Sequence, residues 1–600
     1  MAGFPFFQLE RYLKILVTEM GKNVAISEEF TREAGPQGRG PVDLNNKNIF
    51  DRRVSRIITP GTLIDEKFMQ TEESNFLLSI IEGPGREGDR IGLAWMDLST
   101  GDFVTHEIEP EILVSEVQRI SPREIITSMD KARLPSEFLV TAVDAAEKAS
   151  EKWISMVRSS NEAFSEGESL AGTMLLSYVA SNLPESDLET LPPTRLQDSS
   201  VMALDSNALY SLEIRRSMRD QGLKGSLLHA MKRTTTKSGA RLLSDWLISP
   251  ITSIPVLEQR LDLVQLMMEN EPLRTEVIRF LKNSGDAVRV LQRFGFGRGE
   301  VDDLLTITKA ISATADLLAV LSKHEKAASL TSRMEVLTSL RKRIASSIDE
   351  VGLMQRNRED AESAAAMMEE VLGAMSSTSK VPERRRKAIE REMTYTMKPS
   401  ASTILRQLHK TLAELDTDRA AMQERLREQS GMQSLTLKTL PGLSHIVHIK
   451  GSDAKQDLSL IVPESKNISS TRSTRSHHVP EWSFLGTRIE ATKIQIQQEE
   501  TRTFQTLRRD VLRNAASLRR NATVLDQLDV ANSFATIAME HNWCRPTLTT
   551  RNETDIRDGR HPVVDFALLA RGLHFTANDT RFTEGVRMYL VTGPNMGGKS

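Results

Sequence analysis

Gly593-Pro594-Asn595-Met596-Gly597-Gly598-Lys599-Ser600 closes the sequence and fits the phosphate-loop pattern G-x-x-x-x-G-K-[ST]. A loop of this kind points successive backbone N–H groups at a triphosphate. Gly597 and Gly598 let the backbone approach closely, while Asn595 and Met596 shape the loop. Lys599 would reach the β- and γ-phosphates, and the Ser600 hydroxyl would ligate Mg²⁺. Residues 586–592 are mostly apolar and β-prone and read as a strand feeding the loop. The cofactors expected are therefore ATP and Mg²⁺. Such a loop works with the helix after it, whose N-terminus holds the phosphates. It also needs a downstream acid for Mg²⁺ and a group that positions water. The sequence shows none of these after Ser600. The expectation is a piece of an ATPase cut inside its nucleotide site, with no complete catalytic set, no hydrolysis and weak nucleotide affinity.

Working outward, the 600 residues imply several domains with ample chain for buried cores. Lys and Arg total 78 against 81 Asp and Glu, a net charge of −3, so any nucleic-acid surface is local rather than global. One cysteine, Cys544, excludes a disulfide framework and a cysteine-rich zinc site, and points to a reducing compartment. No apolar run approaches the roughly 20 residues of a membrane helix, so no membrane partner is expected. Met1-Ala2-Gly3-Phe4-Pro5-Phe6-Phe7 has no signal-peptide or Arg/Ser-rich presequence character.

The fold class expected is multidomain α/β plus all-α. In 1–72 a helix (Leu9, Leu13, Leu16, Val17) accompanies strands at Val24-Ala25-Ile26-Ser27 and Val54-Ser55-Arg56-Ile57-Ile58. Residues 31–48, rich in Gly, Pro, Asn and Asp, read as a loop. Residues 73–200 read as α/β: a buried strand Ile91 to Asp97, a turn at Ser99–Asp102, a returning strand Phe103 to Ile108, a helix over 111–120 and a strand at Glu124-Ile125-Ile126. The polar, Pro-bearing stretch 182–199 reads as a linker. Residues 201–430 are helical. Over 400–430, Ile404, Leu408, Leu412, Leu415, Met422 and Leu426 keep one apolar stripe, about 43 Å of helix at ~1.5 Å per residue. Residues 431–485 form a β-rich insertion, with strands expected at Leu435–Leu437, His445–Ile449 and Leu458–Val462. Long helices resume over 486–553, and 554–600 begins a final α/β domain. Helix out, β tip and helix back make a projecting arm.

Several separated stretches resemble the MutS family of DNA mismatch-repair ATPases. Thr592 to Ser600 carries that family's Pro-Asn-Met filling of the phosphate loop. Asp558-Gly559-Arg560-His561-Pro562-Val563-Val564 is similar to the segment opening its ATPase domain. Ile57-Ile58-Thr59-Pro60-Gly61-Thr62 is similar to the end of its mismatch-binding domain, Trp95-Met96-Asp97-Leu98-Ser99-Thr100-Gly101 to its connector, and Gly239-Ala240-Arg241-Leu242-Leu243-Ser244-Asp245-Trp246-Leu247 to its core. The resemblance implies a MutS-like fold: a partial mismatch-binding domain (1–72), an RNase H-like connector (73–200), a helical core and lever (201–430), a β-rich clamp (431–485), returning lever helices (486–553) and the start of a P-loop ATPase domain (554–600). Ala2-Gly3-Phe4-Pro5 and Arg472-Ser473-Thr474-Arg475-Ser476 resemble the mitochondrial members, so a mitochondrial location is expected, with the nucleus as the alternative. The family's Phe-x-Glu mismatch probe lies upstream of the point that Ala2-Gly3 matches, which implies truncation at both ends. Phe164-Ser165-Glu166 and Phe582-Thr583-Glu584 fit those letters in the wrong domains.

The resemblance implies ATP-dependent recognition of mismatched double-stranded DNA and initiation of its repair. The full-length protein is expected to be a homodimer and a DNA-dependent ATPase, this piece being inactive. The alternative is a structural clamp of the same fold acting in recombination without mismatch reading. A coiled-coil chromosome ATPase would carry its phosphate loop near the start of the chain. Phe575 would stack on adenine by resemblance, or serve as a core aromatic. Lys466, Arg472, Arg475, His477 and His478, interleaved with Ser and Thr, suit phosphate contacts at the arm tip or form a solvated loop. Arg384-Arg385-Arg386-Lys387 reads as a solvated basic face. His561 reads as serving turn geometry.

Overall fold

The computed structural model describes residues 9–31, 50–64, 69, 72–83, 90–158, 162–183, 191–197, 201–220, 222–374, 394–440, 444–456, 458, 461–471, 473–583, 585, 588–590 and 592. The expectations for Gly593 to Ser600, for Arg472 and for Arg384–Lys387 fall outside the described residues. The chain divides into two units. One comprises Met1–Gly299, Lys309–Val336 and Asn514–Ser600, and the other Glu300–Thr308 and Leu337–Arg513.

The first unit opens with helix Leu9–Leu13, which runs into a π-helical turn, Lys14–Glu19. Strands β1 (Val24–Thr31) and β2 (Phe50–Ile58) follow as an antiparallel pair. Leu13, Val17, Ile58 and Leu63 form the small core beneath them. Next come β3 (Phe76–Glu82), β4 (Ile91–Asp97), β5 (Asp102–Ile108), β6 (Glu124–Thr127), β7 (Val140–Ala142) and β8 (Thr194–Arg195). They make one sheet of order β7-β6-β3-β4-β5-β8. β3, β4 and β5 run as an antiparallel meander, and β6, β7 and β8 each pair parallel to a neighbour. All of β4 is buried because both sheet faces are covered. Ala94 and Met96 meet helix Glu166–Asn182 through Ala171, Met174 and Leu175. Leu93 and Trp95, on the other face by strand alternation, join Leu113, Val117 and Ile120 of helix Leu113–Ile120.

β8 corrects the linker expected over 182–199. Leu196 N donates to Thr105 O, 2.9 Å, so Thr194–Arg195 extends the sheet as an edge strand. A two-residue strand between prolines and polar residues leaves no hydrophobic pattern to read. The Phe164-Ser165-Glu166 triplet is structural: the Ser165 hydroxyl accepts from Glu168 N while Glu168 accepts from Ser165 N, a capping box. Phe164 meets the edge of Trp153 at 5.6 Å between ring centroids.

The Thr59–Thr62 turn is held by one buried acid. Glu124 Oε2 accepts from the Thr59 hydroxyl (2.5 Å) and from Gly61 N (3.1 Å). Its Oε1 accepts from the Thr141 and Tyr178 hydroxyls at 2.8 and 2.7 Å. A Cβ on Gly61 would lie 2.8 Å from Leu77 Cδ1 and 2.9 Å from Glu124 Cβ, so only glycine fits.

The helical part of this unit gathers helices Ile254–Glu269, Glu271–Lys282 and Ala515–His541 around Leu263, Met267, Val277, Leu281 and Leu528. Buried Asp529 closes the start of helix Lys237–Ile248: it accepts from Thr235 N (2.8 Å), Thr236 N (2.7 Å) and the Thr236 hydroxyl (2.6 Å). A Cβ on Gly239 would lie 2.3 Å from Asp529 Oδ2, which explains the glycine opening the Gly239–Leu247 stretch. Helix Val301–Leu321 corrects the reading of the apolar runs, because it is long and apolar enough to cross a membrane, with mean hydropathy 1.6. Its Ala313, Leu317 and Leu321 join the buried cluster just described, the behaviour of a core helix.

In the second unit, helices Thr403–Ser430 and Pro480–Arg513 lie antiparallel. Ser402 bonds Glu499 at one end (2.9 Å), and Arg425 bonds Glu481 at the other (2.5 Å). Leu405, Leu412, Leu415, Met422 and Leu426 are buried, whereas Ile404 is 52% exposed. Residue 405 lies two turns before 412 and on its line, while 404 is rotated about 80° from it. Between the helices stand β9 (Thr436–Leu440), β10 (Ser444–Lys450), β11 (Lys466–Ser470) and β12 (Thr474–His478), an antiparallel sheet of order β11-β12-β10-β9. Of the strand expected at Leu458–Val462, the described Leu458, Ile461 and Val462 lie in no strand, and Ile461 N and Val462 N both bond Leu458 O. The sheet's second hairpin begins instead at Lys466.

Back in the first unit, β13 (Thr554–Gly559) and β14 (Asn578–Phe582) pair antiparallel. Of the strand expected over 586–592, the described Met588, Tyr589, Leu590 and Thr592 lie in no strand. A strand exists by pairing, and no described strand pairs with them. Tyr589 instead meets the edge of Phe582 at 4.7 Å.

Replacing Glu124 by alanine orphans its four donors. Glu124→Ala is expected to cost roughly 3–5 kcal/mol, read as lost amide-exchange protection across β3, β4 and β6. Unchanged protection there would contradict the clasp.

Candidate nucleic-acid interface and nucleotide segment

The tip sheet stands on its helices through one crowded contact. His445, at the start of β10, is buried against Trp482, ring centroids 5.5 Å apart and edge to face. Its Nδ1 lies 3.0 Å from the Thr439 hydroxyl. A Cβ on Gly486 would fall 2.4 Å from that nitrogen, so helix Pro480–Arg513 comes this close to the ring because residue 486 has no side chain. Val447, Ile449 and Val479 complete the buried side.

Against this frame the predicted DNA contacts separate. Lys466 is exposed on β11, whose five residues all face solvent. Arg475 is half-buried, and its Nη1 donates to Gln456 O at 3.4 Å. His478 is half-buried, with Nε2 2.9 Å from the Ser483 hydroxyl. His477 has no exposed surface. It pairs with Val447 and Asn467 in the middle of the sheet, so it packs the tip, which corrects the expectation of a phosphate contact there. Alternation explains the error: a His-His pair in a strand sends one ring to each face, and composition alone treats both as surface cations.

The hydroxyl residues have a structural task of their own. Thr471 and Thr474 close the β11–β12 hairpin: Thr471 N donates to Thr474 O (2.8 Å) and Thr474 N to the Thr471 hydroxyl (3.0 Å). Gly451 N donates to Ser473 O (2.9 Å), which brings exposed Lys450, at the end of β10, beside this turn. Sequence reasoning missed Lys450 because the twenty-three residues 451–473 hide the pairing of β10 with β12. The exposed tip therefore presents Lys450, Lys466 and the Thr471 turn, cations with hydrogen-bonding groups on an edge strand, and this arrangement suits sugar–phosphate contact.

At the other predicted site, Phe575 is half-buried just ahead of β14. Arg560, in the Asp558–Val564 stretch, ties this segment to the end of helix Ala515–His541, with Nη2 donating to His541 O at 2.8 Å. His541 in turn stacks on Phe566 at 3.9 Å. His561 stands at the N-cap of helix Pro562–Leu569, in keeping with a turn-forming role. Among the described residues no cluster of His, Cys, Asp or Glu is arranged to hold a metal ion.

Family profiles match three successive parts of the chain: MutS domain I at residues 1–67, MutS domain II at 75–180 and MutS domain III at 207–535. The chain belongs to the MutS family. The multidomain MutS fold expected from the sequence is the one observed, the mixed sheet falling in domain II and the helical bundle with its tip sheet in domain III. The chain is similar to the DNA mismatch repair protein MutS of Rhizobium meliloti, 26% identical over all of this chain and 64% of that protein. It is also similar to the DNA mismatch repair protein MutS of Granulibacter bethesdensis, 28% identical over all of this chain and 60% of that protein. The chain thus spans three-fifths to two-thirds of the length of these MutS proteins.

The Gly486–His445 contact carries a direct test. Gly486→Ala is expected to destabilise the tip by about 1–3 kcal/mol through overpacking, seen as faster amide exchange in β9 and β10 with helix Ala515–His541 unaffected. Unaltered exchange in the sheet would show that the ring has room to move.

Proposed function

We propose that this chain is the larger part of a mismatch-recognition protein that grips double-stranded DNA through the domain III tip and couples that grip to ATP and Mg²⁺ bound by Gly593 to Ser600. The observation that carries the reading is the unbroken order of domains I, II and III in one chain, together with relatives named for DNA mismatch repair. The exposed β11 edge with Lys450 and Lys466 supports the tip as the contact. Contacts of this kind position a protein on the duplex without reading its sequence. Lys599 would bind the β- and γ-phosphates, Ser600 the metal, and Phe575 the adenine ring; the phosphate-loop sequence and the half-buried place of Phe575 support this reading. Two such chains in a homodimer would close two tips around one duplex.

Lys450→Glu combined with Lys466→Glu tests the tip. Duplex affinity should fall at least tenfold at about 0.1 M salt, with the slope of log K against log salt reduced by roughly two. Fluorescence anisotropy on a 30-base-pair duplex reads both. Unchanged affinity and slope in the folded variant would place the DNA contact elsewhere.

A further inference from the structure

A cleft of about 320 Å³ lies in the first unit, a volume at the lower end of the roughly 300–1,000 Å³ of small-molecule sites. The domain II sheet contributes Phe76, Trp95 and Asp102, and the helical side contributes Arg215, Asp245 and Ser249. Arg119 also reaches the cleft but is committed, its Nη2 to Glu116 at 2.6 Å and its Nη1 to the Ser249 hydroxyl at 2.8 Å. Arg215 and Asp245 are not committed. They attract one another, yet they form no ion pair within 4.0 Å, and neither side chain hydrogen-bonds any described residue. Asp245 is exposed on the cleft wall and Arg215 is half-buried. Burial pushes its carboxyl up to about 7, with Asp102 and Asp97 adding repulsion and Arg215 and Arg241 opposing. Burial likewise pulls Arg215 down to about 10. A carboxylate and a guanidinium that line one cleft without touching each other leave both groups open to a ligand between them.

The chemistry of that third group is restrictive. A carboxylate is a two-oxygen acceptor and a guanidinium a two-pronged donor, and both are strongest when met bidentately. Guanine presents adjacent N1–H and N2–H donors on one edge and adjacent O6 and N7 acceptors on the next. Adenine offers each partner less. We propose that the cleft is a guanine-base site, with Asp245 accepting from N1–H and N2–H, Arg215 donating to O6 and N7, and the aromatic lining of Phe76 and Trp95 meeting the planar ring. The base belongs either to a free nucleoside or to an unstacked position in a DNA strand. The site shares no residue with the tip or with Gly593 to Ser600, so it survives or fails independently of the function proposed above.

Isothermal titration calorimetry of the full chain with guanosine and adenosine tests the site. Neither ligand carries a phosphate, so Lys599 contributes nothing, and the Phe575 segment would favour adenosine. Guanosine is expected to bind at least tenfold tighter than adenosine at pH 8. It should weaken at pH 6, because recognition needs ionised Asp245 and protons compete below about pH 7. Asp245→Asn should cost at least tenfold. Displacement of guanosine by a single strand containing guanine, and not by oligothymidine, assigns the base to DNA; its failure assigns the site to free nucleosides. A guanosine soak of wild-type crystals provides a readout independent of variant folding, with density expected between Arg215 and Asp245. No guanosine binding, equal affinity for adenosine, or an empty cleft after the soak overturns the proposal.

Discussion

Two neighbouring carboxylates near the middle of helix Pro480–Arg513 fix the geometry of the whole tip. Glu500 accepts from Thr396 N and Met397 N, both at 2.7 Å, and Glu499 accepts from the Ser402 hydroxyl at 2.9 Å. Both acids are buried. Burial raises the Glu500 pKa, and the two backbone donors oppose that rise. These bonds lock the segment before helix Thr403–Ser430 onto one turn of its partner. With that end pinned and both helices continuous, the sheet between them can emerge only at the far end, where Arg425 meets Glu481. A one-turn slip would orphan the donors of Thr396 and Met397 and carry His445 away from the one glycine, Gly486, that admits it.

Much of this was legible in the sequence because it is local. The apolar run from Ile91 to Met96 and the long apolar stripe from Leu408 to Leu426 are properties of single elements facing a core. What escaped depends on long-range pairing. Thr194–Arg195 is a strand only because β5 lies beside it. Leu458–Val462 has the composition of a strand, but Ile461 N and Val462 N bond back to Leu458 O rather than to a neighbouring strand. The same limit governed the site. His477 and His478 are equivalent in composition, and only the sheet decides that one is buried. Lys450 joins the exposed face through the Gly451–Ser473 bond, across a stretch that no sequence window spans.

Motif residues likewise found their reasons in distant partners. Gly61 lies against Glu124, Gly239 against Asp529, and a Cβ on Gly101, whose φ is +81°, would fall 2.4 Å from Gln292 Oε1. Arg519 bonds both Thr100 O and Gln292 Oε1 at this last contact. Each of these three family-like stretches is thus a point where backbone meets a polar side chain from elsewhere in the chain. Sequence pattern reports that a glycine stands there, and the structure supplies the atom that would collide.

The account's central claim is that duplex DNA is held at the β11–β12 tip. Hydrogen–deuterium exchange of the chain with and without a 30-base-pair duplex carrying one mismatched pair tests it most directly. The account predicts DNA-dependent slowing of exchange at 450–451 and 466–478, with helix Ile254–Glu269 unchanged. Slowing confined to other segments, with the tip exchanging as in free protein, would contradict it.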